Sequence, residues 1–92
     1  MTDSINRQLK IVNEKGLHAR AAAKLVEVAE GFDATAEVSL DGQSSGADSI
    51  MGLLMLAASK GKTIDVRVSG ADAAALADAV ETLVADRFGE DM

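Results

Sequence analysis

Apolar and polar residues alternate from Arg7 to Asn13, with Leu9 and Ile11 on one side and Gln8 and Lys10 on the other, which predicts a half-buried strand. Past the turn formers and charges of Asn13-Glu14-Lys15-Gly16 the period changes. Ala22, Leu25, Val26 and Ala29 recur at helical spacing while Arg20, Lys24 and Glu27 fall off that stripe, so a helix is predicted over Ala19 to Glu30, closed by Gly31. Alternation returns from Ala34 to Leu40, where Ala36, Val38 and Leu40 oppose Thr35, Glu37 and Ser39. Asp41-Gly42 then supplies a hairpin turn, and Gln43 to Ala47 is the short returning strand, small and polar enough to lie near a sheet edge.

Asp48-Ser49 offers side-chain acceptors to the free N–H groups of a first turn, so a second helix is predicted from Ile50 through Ala58. That stretch, Ile50-Met51-Gly52-Leu53-Leu54-Met55-Leu56-Ala57-Ala58, is apolar almost all round. Either the helix is wholly core or part of it stays exposed as an adhesive patch, for which the flexible Met51 and Met55 are suited. Thr63 to Ser69 is the cleanest strand, with Ile64, Val66 and Val68 inward and Asp65 and Arg67 outward. A last helix carries Leu76, Ala79, Val80 and Leu83, capped near Asp72 and ending around Asp86, and Arg87 to Met92 reads as a frayed acidic tail. The order is βαββαβα. Strands with one wet face imply an α+β open-faced β-sandwich, a four-stranded antiparallel sheet with three helices on its other face.

Composition narrows what such a fold can do. The 92 residues suffice for one domain spanning 1–92 and one modest core. A net charge of −6 argues against nucleic acid and against an anionic membrane surface, both of which require a basic stripe. The chain has no cysteine and one histidine, which excludes disulfides, thiolate chemistry and a multi-histidine metal centre; no metal or cofactor is expected. The opening Met1-Thr2-Asp3-Ser4 lacks the basic and apolar regions of a secretory signal, and the longest apolar run is far short of a membrane span, so a cytoplasmic location without membrane insertion is expected.

The single histidine sits in Gly16-Leu17-His18-Ala19-Arg20, where the first strand's loop becomes the first helix. Unpaired N–H groups and the positive end of the helix dipole favour an anion there, and the same field opposes an imidazolium, leaving His18 neutral and nucleophilic. Arg20 adds a guanidinium whose fork matches phosphate oxygens. By itself the pentapeptide does not outweigh the plainer reading, in which the histidine merely caps a helix and the arginine is a solvated surface charge.

The rest of the chain carries more. With Gly16-Leu17-His18-Ala19-Arg20, Gly31-Phe32, Asp41-Gly42, Ser49-Ile50-Met51-Gly52-Leu53 and Lys60-Gly61 in order, nearly the whole sequence resembles the HPr family, the histidine phosphocarriers of the bacterial phosphotransferase system. The resemblance implies that His18 accepts a phosphoryl group on Nδ1 from enzyme I, itself charged by phosphoenolpyruvate, and passes it to an enzyme IIA-type protein. It implies Arg20 as the clamp, the Ala19 and Arg20 amides as hydrogen-bond donors to the phosphoryl oxygens, and a carrier rather than a stand-alone catalyst. Docking is expected at Ala23, Glu27, Ile50, Met51, Leu54 and Met55. Ser49 matches the family's regulatory serine, a substrate of HPr kinase in some bacteria. A diffusing carrier needs its docking face free, which favours a monomer.

Two departures from the family pattern matter. Ala21 stands where proline is common, and Glu27 and Glu30 stand where sugar-branch carriers often have lysines, which changes the partners steered in. Gly31-Phe32-Asp33-Ala34, Leu53-Leu54-Met55-Leu56 and the ending Phe88-Gly89-Glu90-Asp91 are similar to the nitrogen-branch, NPr-like carriers, whose targets are regulatory rather than sugar permeases. Two alternatives remain open at this stage. Gly46-Ala47-Asp48-Ser49-Ile50 also resembles the phosphopantetheine attachment site of acyl carrier proteins, which are helical bundles, and an HPr-like fold can serve as an adaptor that transfers nothing.

Overall fold

The computed structural model describes residues 4–92; Met1-Thr2-Asp3, on which part of the cytoplasmic expectation rests, lies outside them. Four strands, β1 (Ser4–Lys10), β2 (Thr35–Leu40), β3 (Gln43–Gly46) and β4 (Thr63–Ser69), form one sheet in the order β1-β4-β2-β3, and every neighbouring pair is antiparallel. Three helices accompany them, α1 (Ala19–Glu30), α2 (Ile50–Met55) and α3 (Ala73–Ala85), followed by a single 3-10 turn over Arg87–Gly89. The alternation expected from the sequence sets the faces. Leu9, Ala36, Val38, Leu40, Ile64, Val66 and Val68 are buried beneath the helices. On the other face Asn6, Gln8, Glu37, Ser39, Asp65 and Arg67 line a shallow polar groove.

Ala21, Ala22, Leu25 and Ala29 of α1 join Leu76, Ala77, Val80 and Val84 of α3 over that apolar sheet face. Leu25, Leu76 and Val80 are fully buried there. Ala21 is itself fully buried, so a methyl group there contributes packing where a proline ring would contribute a fixed φ.

Three sequence expectations change. The first strand begins and ends three residues earlier than Arg7 to Asn13: Ser4, Ile5 and Asn6 pair with Ser69, Val68 and Arg67, an extension that polar Ser4 and Asn6 conceal. Ile11 stays fully buried, its N–H donating to the Lys62 carbonyl at 2.8 Å and its carbonyl accepting from the Gly61 N–H at 2.8 Å. The second helix stops at Met55 and does not reach Ala58. Ala57 takes a left-handed φ of 53°, and the Ala58 carbonyl turns to accept the Leu17 N–H at 2.8 Å. A helix carried on through Ala58 would point that carbonyl along the helix axis, away from Leu17.

The third correction is the tail. Phe88 is completely buried, and Arg87 to Glu90 form an ordered turn closed by Gly89 N–H to the Asp86 carbonyl and Glu90 N–H to the Arg87 carbonyl, both at 2.9 Å. Burying one aromatic side chain stabilises the docked turn by about 2–3 kcal/mol, enough to overcome the fraying that charge and terminal position favour. At the other end of α3, Asp72 is the N-terminal boundary residue but its carboxylate does not cap the helix. It accepts the Asp33 N–H at 2.8 Å while its own N–H donates to the Asp33 carbonyl at 2.9 Å, a two-way clasp between the loops after α1 and after β4.

Candidate functional site

His18 lies at the N-terminal boundary of α1 with extended backbone (φ −82°, ψ −178°), and its carbonyl accepts the Ala22 N–H at 2.8 Å. Its side chain does not cap the helix. The first-turn N–H groups have no carbonyl four residues behind them, and no acidic side chain occupies that turn. An anion brought to this end of α1 meets backbone donors and no opposing carboxylate from the helix's own first turn.

The loop before His18 is fixed by neighbours. Gly16 has φ +64°, and a Cβ built on it would stand 2.5 Å from the Ala58 carbonyl oxygen and 2.8 Å from Ser59 Cα. Both the handedness and the approach demand glycine. Leu17 is buried next to it, and its N–H bond to Ala58 holds the Gly16-Leu17-His18 run against the segment leaving α2. The left-handed turn at Ala57, where α2 has ended, aims that acceptor at Leu17.

Behind the imidazole lies a group that the sequence reading left in solvent. His18 Nε2 is hydrogen-bonded to Glu90 Oε2, with the two side chains 24% and 13% exposed. Glu90 Oε1 accepts from Asn13 Nδ2 at 2.9 Å, and the same amide donates to the Gly16 carbonyl at 2.9 Å. Asn13 is fully buried, and its Oδ1 has no partner among the described residues. The Asn13 amide first, then the His18 ring, with a smaller contribution from the Lys15 charge, hold the Glu90 carboxyl below its ordinary range. Lys24, half-buried on α1, donates from Nζ to the Phe88 carbonyl at 2.6 Å, so a cation that the periodicity puts off the apolar stripe is tied to the tail.

The other expected residues are distributed as follows. Ala19 and Arg20 are exposed in the first turn beside His18. Ala23 and Glu27 are exposed one and two turns along α1, and α2 packs beside that helix. On α2, Met51 and Met55 are 71% and 74% exposed, Ile50 is exposed, Leu54 is half-buried and Leu53 is fully buried. The helix is therefore neither wholly core nor wholly free. Ser49 precedes it, and its Oγ accepts the Gly52 N–H at 3.0 Å, the cap expected from its sequence position. Where α2 meets β3, a Cβ on Gly52 would stand 2.2 Å from Ser45 Oγ, so the Ser45 hydroxyl would have to turn aside to admit one.

Asn13, Glu90 and Lys24 are the site residues that motif reasoning missed. The signal for Glu90 was Phe88, one of only two aromatic residues in the chain, placed in a segment otherwise polar enough to be dismissed.

Comparison with known proteins agrees with this geometry. The family model described as "PTS HPr component phosphorylation site" matches residues 5–86. The phosphocarrier protein HPr of Cupriavidus necator is 43% identical over 86 residues, covering 94% of this chain and 97% of the relative. The phosphocarrier protein NPr of Shewanella violacea is 44% identical over 86 residues, covering 94% of each. Among solved structures, HPr from Thermoanaerobacter tengcongensis superposes with a TM-score of 0.90 at 33% identity, covering 96% of this chain and 99% of that one. The four-stranded sheet overturns the acyl-carrier alternative, which requires a helical bundle. A match that spans the sheet, the helices and the histidine loop alike assigns the chain to the HPr family, the phosphocarrier proteins of the phosphotransferase system.

Proposed function

We propose that His18 carries a phosphoryl group loaded by enzyme I of the phosphotransferase system and removed by an enzyme IIA-type protein, in the cytoplasm and as a monomer of one domain. The observation that carries this reading is the placement of the imidazole at the start of α1, beside first-turn N–H groups and with no acidic residue in that turn. An in-line phosphoryl transfer needs positioning and charge stabilisation more than proton chemistry. The Ala19 and Arg20 amides and the exposed Arg20 guanidinium are assigned to the three phosphoryl oxygens.

Docking is assigned to the surface beside His18 that α1 and α2 share. Ala23, Glu27, Ile50, Met51, Leu54 and Met55 present pliable apolar side chains with an acidic rim, suited to more than one partner. The NPr relative, together with Glu27 and Glu30, supports the nitrogen branch, with regulatory targets in place of sugar permeases. In a host with an HPr kinase, Ser49 is the second phosphorylation site: its hydroxyl lies at the edge of the docking surface, where added negative charge repels acidic partners.

The test is incubation with enzyme I and phosphoenolpyruvate. An acid-labile phosphate is expected on the wild-type chain and none on His18→Gln, with both proteins equally folded by circular dichroism. Equal labelling of the two would remove His18 from the mechanism. No labelling of the wild type would favour the adaptor reading, as would failure of the labelled chain to pass its phosphate on. Kinase labelling that persists in Ser49→Ala would discard the assignment of that serine.

A further inference from the structure

We propose that Glu90 is a positioning residue for the carrier histidine: by accepting a hydrogen bond from Nε2 it fixes the ring's tautomer and orientation, leaving the Nδ1 lone pair as the phosphoryl acceptor. The inference rests on the phosphocarrier reading above and adds a residue from the far end of the chain to it.

The hydrogen bookkeeping follows from the partners. A carboxylate has no hydrogen to give, so a neutral imidazole bonded to it carries its hydrogen on Nε2. Nδ1 is then the unprotonated nitrogen. The carboxylate is oriented in turn, because Asn13 Nδ2 occupies Oε1 and leaves Oε2 for the ring. Asn13 directs both its N–H bonds to acceptors, to Glu90 and to the Gly16 loop, while its own buried Oδ1 has no partner among the described residues.

Delivery of Glu90 is equally specific. Arg87 and Phe88 both take left-handed backbone conformations, φ 55° and 54°, which cost non-glycine residues about 1–2 kcal/mol each. The buried Phe88 ring and the Lys24 bond to its carbonyl sustain that turn, whose next residue after Gly89 is Glu90. Strain held in place around a reactive side chain is the pattern of a functional constraint.

The chemistry balances without a proton transfer. As the Nδ1 lone pair forms the N–P bond and the donor's bond to phosphorus breaks, the ring, still protonated on Nε2, becomes cationic. The Glu90 carboxylate compensates that charge from the opposite side of the ring. On transfer to the acceptor the N–P electron pair returns to Nδ1, and the starting tautomer is restored. A carboxylate at Nε2 thus serves loading and unloading alike.

The test compares Glu90→Gln with Glu90→Ala by the ¹⁵N chemical shifts of the His18 ring, at a pH where the ring is neutral, and by single-turnover phosphoryl exchange with enzyme I. In the glutamine variant Asn13 still requires an oxygen acceptor, which turns the new NH2 group toward the ring. That group donates to Nε2 and favours the Nδ1–H tautomer. Expected is therefore a predominantly Nε2–H ring in the wild type, a shift to Nδ1–H in Glu90→Gln, a tautomer mixture in Glu90→Ala, and exchange slowed by about 10-fold or more in the glutamine variant. A merely structural tail predicts the reverse order of damage, since alanine frees the tail more than glutamine does. Unchanged ring shifts in Glu90→Gln would overturn the proposal, as would undiminished exchange. The ring shifts need no phosphoryl donor, so a wild type that shows the expected tautomer yet takes no label defeats the carrier reading alone.

Discussion

At the residue scale the site is assembled from requirements that only one side chain meets. Gly16 combines a left-handed φ with backbone atoms 2.5 and 2.8 Å from where a Cβ would stand, and none of those neighbours is the flexible end of a side chain. Gly16→Ala is therefore expected to destabilise the fold by about 3 kcal/mol, the sum of a left-handed penalty and a displaced loop, measurable by denaturant titration. The same change moves His18 away from the start of α1, so transfer should fall along with stability. A variant with wild-type midpoint and transfer rate would show that the loop relaxes freely. The histidine motif itself was legible from residue types. Its partners were not, because Asn13 and Glu90 are separated by 77 positions and join only when the chain closes.

At the scale of elements, the C-terminal turn differs most from its sequence impression. Acidity and terminal position predicted fraying, yet one phenylalanine in the core docks the segment and converts it into one wall of the site. The docking has a pH dependence whose sign is fixed by Glu90. Its carboxyl is held below its ordinary range by Asn13 and His18, so the stabilisation is fully present above the unfolded value and is lost as pH falls through the lower folded one. Phe88 ring resonances should keep their docked shifts through mildly acidic pH and change only once the pH has fallen below the ordinary carboxylate range; in Glu90→Gln that acid step should vanish. Release of Phe88 near pH 6 would contradict the assignment. The truncated α2 carries a similar lesson. Its residues favour a helix through Ala58, and the turn at Ala57 instead directs the Ala58 carbonyl to the Leu17 N–H.

For the whole molecule, the apolar faces of sheet and helices converge on one cluster that runs from Leu9 to Phe88, so the tail is part of the core it closes. Phe88→Ala should accordingly cost about 3–5 kcal/mol and lower the midpoint of a single unfolding transition, seen identically by far-UV circular dichroism and by the amide resonances of α1. A separate early transition of the tail, with the rest unaffected, would mean that the turn is an appendage. The open sheet face contributes no such coupling: its polar groove of Asn6, Gln8, Glu37, Ser39, Asp65 and Arg67 leaves the helical side as the one that carries the site.

The sequence by itself determined the strand and helix order, the inward and outward faces of the strands, the helix start at His18 and the serine cap at Ser49, because each is written in residues a few positions apart. Periodicity and local hydrogen bonding act at that range. Tertiary structure decided where α2 ends, that Phe88 is core and that Glu90 faces the carrier histidine. Those outcomes depend on which surfaces meet after the chain has turned back on itself, and the free energy of burying Phe88 there outweighs the local preference of a charged terminus to remain in water.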